Sequence, residues 1–412
     1  MINLKSDLVP VLLGADLNCY SVARAFYEEY GVKSYAFGKY PLGVTSHSRF
    51  ISFMQISHLD NAEICISALR DFAQQHQEKI LVLMGCTDEY AEFIIDYKER
   101  LQDCYIMPYT DKQLKDKLVD KADFYSMCEQ FGISYPKTVV LDRICDVGEL
   151  SEDALGFSYP IIVKPSSSIE YWRHPFDGMK KVYFVNDANE AHAVISEIYA
   201  SGYDRRIIVQ DTIPGGDSEM RVFTVYMDRN AKAKMLCLGH VLLEEHTPKG
   251  RGNHAAIITQ KLPPVCEKIT SMLEVLGYKG FANFDIKYDT RDGEYKVFEI
   301  NIRQGRSNHY ITSSGINIAS LVVRDRILED ELPLMIQDKE FFWHSVPRKI
   351  VYTYTDSDEL VARCKALCRE GKEGSPFICP YDLHFNPMRL VFVAETLRRQ
   401  FRKYSKYCKK MR

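Results

Sequence analysis

Short apolar runs alternate with amphipathic stretches along the first hundred residues. The pattern predicts strands at 9–13, 34–37 and 80–84, and helices at 20–30, 61–76 and 88–101. Strands that alternate with helices of this length are typical of a parallel sheet covered on both faces. In such sheets ligands bind beyond the carboxyl ends of the strands. The pattern therefore predicts an N-terminal α/β domain with a binding edge.

Four polar residues follow the first and last of these strands, namely Asp16, Asn18, Asp88 and Glu89. At that edge they can face a substrate, and they can equally cap the helices that follow them. The turn at residues 14–18 lacks the G-x-G-x-x-G spacing of dinucleotide-binding folds. The turn therefore gives little support to a dinucleotide site.

A different pattern begins near residue 120, where strands become more frequent. An apolar, β-branched strand at 159–164 ends in Lys164, just before Pro165 and a serine-containing loop. Two further strands, at 280–288 and 295–300, are separated by a short turn that contains Asp-Gly, a strong hairpin signal. This region is predicted to be α+β, in two lobes.

Polar and apolar side chains alternate along the second strand of this hairpin. Glu299, Asn301 and Arg303 therefore share one face, and Asp285 on the first strand can lie beside them. Mg²⁺ prefers one or two carboxylates and completes its shell with phosphate oxygens and water. The face is predicted to hold Mg²⁺ and a phosphate group. The alternative is a polar, solvated sheet face.

Composition excludes several classes of protein. The chain has 412 residues, enough for two or three domains, and 46% of them are hydrophobic and 26% charged, as in globular proteins. The net charge is −3, without the basic excess typical of nucleic-acid binding, so no nucleic-acid partner is expected. Twelve scattered cysteines predict reduced thiols rather than zinc ligands. With no leader pattern and no long apolar run, a cytoplasmic protein is expected.

Several of these motifs together resemble the ATP-grasp superfamily in order and spacing. They are Lys121, Lys164 with Pro165, residues 210–215, Asp285 and residues 299–303. The resemblance covers roughly residues 115–325. It implies an ATP-grasp α/β fold with an N-terminal parallel pre-ATP-grasp domain and a two-lobed α+β nucleotide-binding region. The corresponding domains are 1–115, 116–205, 206–330 and a C-terminal extension, 331–412.

The implied activity is that of an ATP-dependent carboxylate–amine ligase, with ATP as co-substrate and two Mg²⁺ ions, or Mn²⁺ in their place. By position, the resemblance implies the following contacts: Lys121 and Lys164 to the ATP phosphates; Gln210, Asp211, Thr212 and Ile213 to adenine; Asp217 to ribose; Asp285, Glu299 and Asn301 to metal; and Arg303 to the transferred phosphoryl group. The phosphate-covering loop, 166–174, departs from the superfamily because it lacks glycine.

Residues 11–18, 38–42, 88–92, 237–239 and 280–307 more closely resemble the bacterial D-aspartate ligase family. That family is implied to activate the β-carboxylate of D-aspartate and join it to the lysine ε-amine of a peptidoglycan precursor peptide. Candidate substrate residues are Arg221, His254, Arg306 and Ser307. His254 lies with Lys249 and Arg251 in a glycine-containing loop that can close over the acyl phosphate, and the alternative is a plain mobile loop. The alternatives are a ligase with another amino acid and amine, and a non-catalytic binding protein.

The last residues, 387–412, form a separate feature. Residues 398–412 contain eight Lys or Arg and no acid. Asn386 and Pro387 are a typical helix start, and Leu397, Phe401, Tyr404, Cys408 and Met411 recur at helical spacing. Such a helix can lie on an anionic membrane, placing the protein at its inner face, or it can dock on the protein body.

Overall fold

The computed structural model describes residues 3–247 and 250–408. Its strands, in chain order, are β1 Leu8–Leu13, β2 Ser34–Gly38, β3 Ile51–Gln55, β4 Ile80–Gly85, β5 Thr138–Leu141, β6 Ile161–Pro165, β7 Tyr183–Val185, β8 Ile207–Asp211, β9 Met220–Met227, β10 Ala233–Glu244, β11 His254–Gln260, β12 Gly280–Asp289, β13 Glu294–Asn301, β14 Met335–Gln337, β15 Phe342–His344 and β16 Glu373–Gly374.

The helices, also in chain order, are α1 Leu4–Asp7, α2 Leu17–Tyr30, α3 Ala62–Gln75, α4 Asp88–Asp96, α5 Lys112–Val119, α6 Lys121–Gln130, α7 Glu152–Leu155, α8 Ser168–Trp172, α9 Ala188–Ala200, α10 Pro264–Val275, α11 His309–Ser313, α12 Ile318–Arg326, α13 Arg348–Tyr354, α14 Asp358–Arg369, α15 Pro380–Leu383 and α16 Pro387–Tyr407. Short 3-10 helices occur at Lys98–Arg100, Val147–Leu150 and Asp217–Glu219.

The chain divides into two compact units, each assembled from separate stretches. The larger unit combines Met1–Lys112, Gly216–Phe284 and Asn301–Arg412. The smaller unit combines Gln113–Gly215 and Asp285–Ile300. The hairpin strands β12 and β13 thus contribute residues to both units. The predicted division at 1–115, 116–205, 206–330 and 331–412 stays a prediction.

A parallel sheet occupies the N-terminal part of the larger unit, in the order β3-β2-β1-β4. Strand β1 pairs with β4 from Leu8 opposite Ile80, and all its apolar side chains except the partly buried Val9 are buried, as expected of a parallel sheet covered by helices. Helix α2 starts at the side-chain cap of Asp16 and ends at Gly31, whose φ of 68° suits glycine. This confirms the predicted N-terminal α/β fold.

The larger unit also contains a mixed sheet, in which β9, β10, β11, β15 and β16 are neighbours in that order. The pairs β9–β10 and β10–β11 are antiparallel. Gly305 lies where the chain leaves β13, and a Cβ there would come within 2.4 Å of Asn283 Oδ1. The close approach requires glycine at that position.

The smaller unit has its own antiparallel sheet, in the order β5-β8-β6-β7. Lys164 lies opposite Ile208, and Thr138 lies opposite Gln210. Val163 and Val209 of this sheet pack in one core cluster with Ile195 of α9. This arrangement presents the polar residues near the ends of β6 and β8 from a rigid scaffold.

Helix α16 confirms the predicted cap, because the Asn386 side chain accepts a hydrogen bond from Arg389 N and Pro387 is its first residue. Tyr404 is 2% exposed and donates to Glu244 O over 2.8 Å. Leu397 and Cys408 also pack against core clusters of the same unit, so this part of the predicted stripe is docked. Met411 lies outside the described residues. Among the helices of residues 3–247 and 250–408, none combines the length and the apolar content needed to span a bilayer.

Candidate active site

Lys164 is a buried cation at the end of β6 in the smaller unit. Its Nζ donates to Gln210 Oε1 over 2.9 Å and to Tyr125 Oη over 3.2 Å. Burial lowers the pKa of Lys164 to about 8, because the nearby Glu299 carboxylate only partly offsets the loss of solvation. The side chain is held in one place by neutral acceptors and retains its charge at neutral pH.

Glu299 lies on β13 within a group of lysines in the same unit. Lys121 Nζ is 3.4 Å from Glu299 Oε2. Burial acts to raise the pKa of Glu299, but the charges of Lys121, Lys181 and Lys164 outweigh it and lower the pKa. The carboxylate is therefore ionised at neutral pH. One carboxylate and three ammonium groups leave a net positive charge, which suits a polyphosphate.

The predicted metal ligands occur on the two hairpin strands. Asp285 and Glu299 belong to the smaller unit, and Asn301 follows Glu299 by two residues and so shares its face of β13. Asn301 Nδ2 donates to Asn283 O over 3.4 Å, which leaves the amide oxygen to act as an acceptor. Across the described parts of the chain, no cluster of three or more His, Cys, Asp or Glu side chains is placed to hold a metal. Two carboxylates and an amide fit Mg²⁺, which also takes phosphate and water oxygens.

The segment after β8 is fixed by ion pairs and by a lysine. Asp211 is buried, and its Oδ2 is 2.6 Å from Arg291 Nη2. Lys287 Nζ donates to the carbonyl oxygens of Ile213 and Gly215, at 2.9 Å each. Thr212 Oγ1 is buried and has no hydrogen-bond partner among the described residues. A buried hydroxyl in this state favours a polar ligand beside it.

Asp217 begins the next segment, in the larger unit. Its carboxylate accepts hydrogen bonds from Glu244 N at 2.8 Å and His246 Nε2 at 2.7 Å, and the bond to Asp217 raises the pKa of His246. Arg221 is buried and donates to the carbonyl oxygens of Ser218 and Met220.

Two arginines follow β13 in the larger unit, and each contacts a carboxylate. Arg303 pairs with Asp88 through two nitrogens, at 2.8 and 2.9 Å. Arg306 Nη2 is 3.2 Å from Glu245 Oε1, and its Nε is 3.9 Å from Asp16 Oδ2. Burial raises the pKa of the Asp16 carboxyl, although Arg306 opposes the shift. Guanidinium groups at this edge suit recognition of a carboxylate or an acyl phosphate.

The chain is similar in sequence to known ligases. No family model matches it. A D-aspartate ligase from Enterococcus faecium (strain Aus0004) is 37% identical over 377 residues, which are 90% of this chain and 90% of the relative. This chain belongs to the D-aspartate ligase family. Membership confirms the class predicted from the sequence, an ATP-dependent carboxylate–amine ligase.

Solved structures show the fold. The L-amino acid ligase from Bacillus licheniformis is similar with a TM-score of 0.55 and 16% identity, over 78% of this chain and 74% of that one. The biotin carboxylase domain of Hydrogenobacter thermophilus 2-oxoglutarate carboxylase gives a TM-score of 0.59 and 15% identity, over 81% and 73%. The predicted ATP-grasp fold is confirmed.

The larger unit contains a buried network of amide side chains whose contacts were not predicted from the sequence. Asn18 Nδ2 donates to Cys86 O over 2.9 Å, and Asn308 Nδ2 donates to Asn18 Oδ1 over 2.8 Å. Gln304 Nε2 donates to Gly85 O over 3.0 Å. The network ties the loop that carries both arginines to the ends of β1 and β4. Asn18 is thus structural here, whereas Asp16 both caps α2 and faces Arg306.

The remaining substrate candidates differ in position from the prediction. His254 is the first residue of β11 rather than a loop residue, and burial lowers its pKa to about 4. It is therefore neutral at pH 7. Ser307 is buried in the loop after β13. Lys249 lies outside the described residues. Glu245, Lys181 and Lys287 were not predicted, because single charged residues in loops and on strands are too common to be informative.

Proposed function

We propose that this chain activates the β-carboxylate of D-aspartate with ATP and joins it to the lysine side-chain amine of a peptidoglycan precursor peptide. The reaction releases ADP and phosphate. The observation that carries the phosphoryl-transfer half is the lysine cluster Lys121, Lys164 and Lys181 around an ionised Glu299. The choice of D-aspartate rests on the Enterococcus faecium relative, which is a D-aspartate ligase.

ATP is proposed to bind with its phosphates at Lys121 and Lys164. The segment from Gln210 through Asp211 and Thr212 to Ile213 is proposed to line the adenine. The buried, unpartnered Thr212 hydroxyl supports this placement. Asp217 is proposed to hold the ribose, which requires it to share or give up its bonds to Glu244 N and His246.

Asp285, Glu299 and Asn301 are proposed to hold two Mg²⁺ ions, with Mn²⁺ as a substitute. When bound, Mg²⁺ would neutralise charge on the phosphate oxygens. The biotin carboxylase domain of similar fold is a complex with MgADP. The ionised state of Glu299 supports this role, because a protonated carboxyl would be a poor ligand for a hard cation.

The chemistry is proposed to run in two steps. A β-carboxylate oxygen of D-aspartate attacks the γ-phosphorus, the bond to the bridging oxygen breaks, and ADP leaves. The lysine amine then attacks the acyl carbon, loses a proton, and expels phosphate that carries the original carboxylate oxygen. Lys164 holds the phosphates during the first step, and Arg303 steadies the charge on the phosphoryl group and acyl phosphate.

D-Aspartate carries a second carboxylate that is not activated, and this group needs a cation. Arg221, Arg303 and Arg306 are the candidates, since guanidinium binds carboxylate in bidentate fashion. We favour Arg306, because its contact with Glu245 is a single 3.2 Å pair that a carboxylate substrate can compete with. Ser307, next in the chain, and the neutral His254 are proposed to complete the donor pocket.

The acceptor is proposed to be a nucleotide-linked precursor, so the reaction takes place in the cytoplasm, at or near the inner membrane face. A ligase using another amino acid and amine is the first alternative. A non-catalytic binding protein is the second, and the intact set of site residues argues against it.

The test is ADP release with Mg-ATP across D- and L-amino acids, with and without a lysine-containing muropeptide nucleotide. The proposal predicts release that depends on both D-aspartate and the precursor. Turnover with a different pair of substrates would support the first alternative. ATP binding without ADP release under any condition would support a binding protein.

A further inference from the structure

The turn before α16 and the first turns of that helix expose several large apolar side chains. Phe385 is 83% exposed, Val391 67% and Met388 57%. Single exposed apolar residues are ordinary, but with Leu390, which is 50% exposed, four lie within seven positions, and water solvates such a concentration poorly. We call Phe385, Met388 and Val391 the apolar tip.

Phe385 has an unusual backbone conformation. Its φ is 52°, in the left-handed region that aromatic residues rarely adopt. The turn is held by Arg49 Nη2, which donates to Phe385 O over 3.0 Å, and by Asn386 Nδ2, which donates to His47 O over 2.8 Å. The surrounding structure therefore maintains a strained turn whose phenyl ring faces solvent, and such strain tends to mark function.

Further along the outward face of α16, basic side chains follow the apolar ones. At 3.6 residues per turn, Arg398, Arg402 and Lys406 lie on the same side of the helix as Met388 and Val391. We call these three the basic row, and all three are exposed. Glu395 is the acidic residue of the helix, and it pairs with Arg398 and Arg399 at 2.7 and 2.9 Å.

The opposite face of α16 fixes this orientation. Arg389 is 1% exposed, pairs with Asp382 at 2.8 Å and lies 4.5 Å from the Tyr20 ring. Val393 and Tyr404 are buried further along the helix. The outward face is thus displayed without any rearrangement, and it differs from the stripe predicted from the sequence, which is largely docked.

We propose that the outward face of α16, with the apolar tip at one end and the basic row at the other, is a docking surface for an anionic lipid bilayer. Apolar side chains enter the headgroup–acyl boundary while cations contact lipid phosphates. Residues 398–412 hold eight basic residues, and the rest of the chain has 45 basic and 56 acidic residues. An anionic membrane therefore attracts this end and repels the rest, which favours a bilayer over a neutral or basic protein partner.

The test is cosedimentation of the full-length protein with vesicles of phosphatidylglycerol and phosphatidylcholine, and with phosphatidylcholine alone, at low and moderate salt. We expect binding to the anionic vesicles that weakens with salt. Neutralising the basic row by Arg398→Gln, Arg402→Gln and Lys406→Gln should lower the partition coefficient about fivefold per charge at low salt. A tip variant, Phe385→Asn with Met388→Gln and Val391→Gln, should lose binding at both salts, and asparagine tolerates the left-handed turn.

Matched controls separate the surface from general properties of the protein. Lys33→Gln, Lys261→Gln and Arg369→Gln remove the same charge from exposed positions elsewhere, and Val275→Gln, Leu328→Gln and Leu334→Gln remove exposed apolar side chains. These variants should sediment like the parent, and all variants should keep the parent's melting temperature and ADP release. Negligible binding by the parent, or equal loss in controls and surface variants, would overturn the proposal. Self-association through this face without vesicle binding would do so too, in favour of a protein partner. The assay measures binding alone, so its outcome is independent of the proposed substrates.

Discussion

The two units present charge in different ways. In the smaller unit, the charges of three lysines act on the Glu299 carboxylate, so these four groups keep a positive excess before any substrate arrives. In the larger unit, Arg303 and Arg306 each contact carboxylates that already balance them. A polyphosphate adds to an unbalanced site, whereas a carboxylate substrate must compete with existing pairs. We propose that the smaller unit provides affinity for the ATP phosphates and that the larger unit provides selectivity for the donor.

The largest loss of activity is expected when the Glu299 carboxylate is removed from the lysine cluster. Glu299→Gln keeps the size of the side chain but removes the proposed metal ligand, so turnover should fall about a thousandfold. Glu294→Gln, on the same strand, is the matched control. ADP release and a thermal melt should show an inactive, folded Glu299 variant and an active Glu294 variant. Near-normal activity in a folded Glu299→Gln protein would refute the assignment.

The pH dependence of kcat/KM for ATP tests the role proposed for Lys164 in phosphate binding. In the proposed site the charged form of Lys164 binds phosphate, and its pKa of about 8 means that this form is lost as the pH rises. The value of kcat/KM for ATP should therefore fall above pH 8, approaching about tenfold per pH unit. Lys164→Arg should move the fall to higher pH, because guanidinium stays protonated. A flat profile through this range in the parent would show that Lys164 does not bind the phosphates in its charged form.

Arg306→Lys tests whether the larger unit selects the amino-acid donor through this guanidinium group. The change keeps the charge but removes the paired nitrogens, so KM for the amino-acid donor should rise about fivefold to tenfold while KM for ATP stays unchanged. Arg324→Lys, at another exposed pair in the larger unit, is the control. Steady-state kinetics with each substrate varied would measure both constants. A rise in KM for ATP alone would assign Arg306 to the nucleotide.

The smallest effect is expected at Tyr404→Phe, which removes one hydrogen bond to Glu244 O beside Glu245. Unfolding free energy should fall by about 1 kcal/mol. If α16 positions the Glu244–His246 segment, KM for the donor should also rise, by less than about threefold. Chemical denaturation and donor kinetics measure the two effects. An unchanged donor KM in the folded variant would argue against this positioning role.

Periodicity predicted the elements whose burial depends on near neighbours in sequence. Strands such as β1 and β4 are continuous apolar runs, and the hairpin of β12 and β13 is marked by alternation and its Asp-Gly turn. Lys164 stood out because a charge at the end of a buried strand is unusual.

Contacts between residues far apart in the sequence cannot be predicted from such local patterns. Asn18 was marked by its place after β1, but its contact with Asn308 forms only because strand ends and a distant loop come together, and nothing local marks Asn308. His254 was expected in a loop, but β11 begins there because its apolar run pairs with β10. Lys181 and Glu245 likewise become candidates only because the fold brings Lys181 near Glu299 and Glu245 into contact with Arg306.

The central claim, activation of a carboxylate by phosphoryl transfer, is tested most directly with D-aspartate labelled with ¹⁸O in its β-carboxylate. The account predicts that complete turnover yields ADP and phosphate carrying one ¹⁸O atom per molecule, because the attacking carboxylate oxygen leaves with the phosphoryl group. Mass spectrometry of the released phosphate measures the label. Unlabelled phosphate, or label in AMP instead, would contradict the claim.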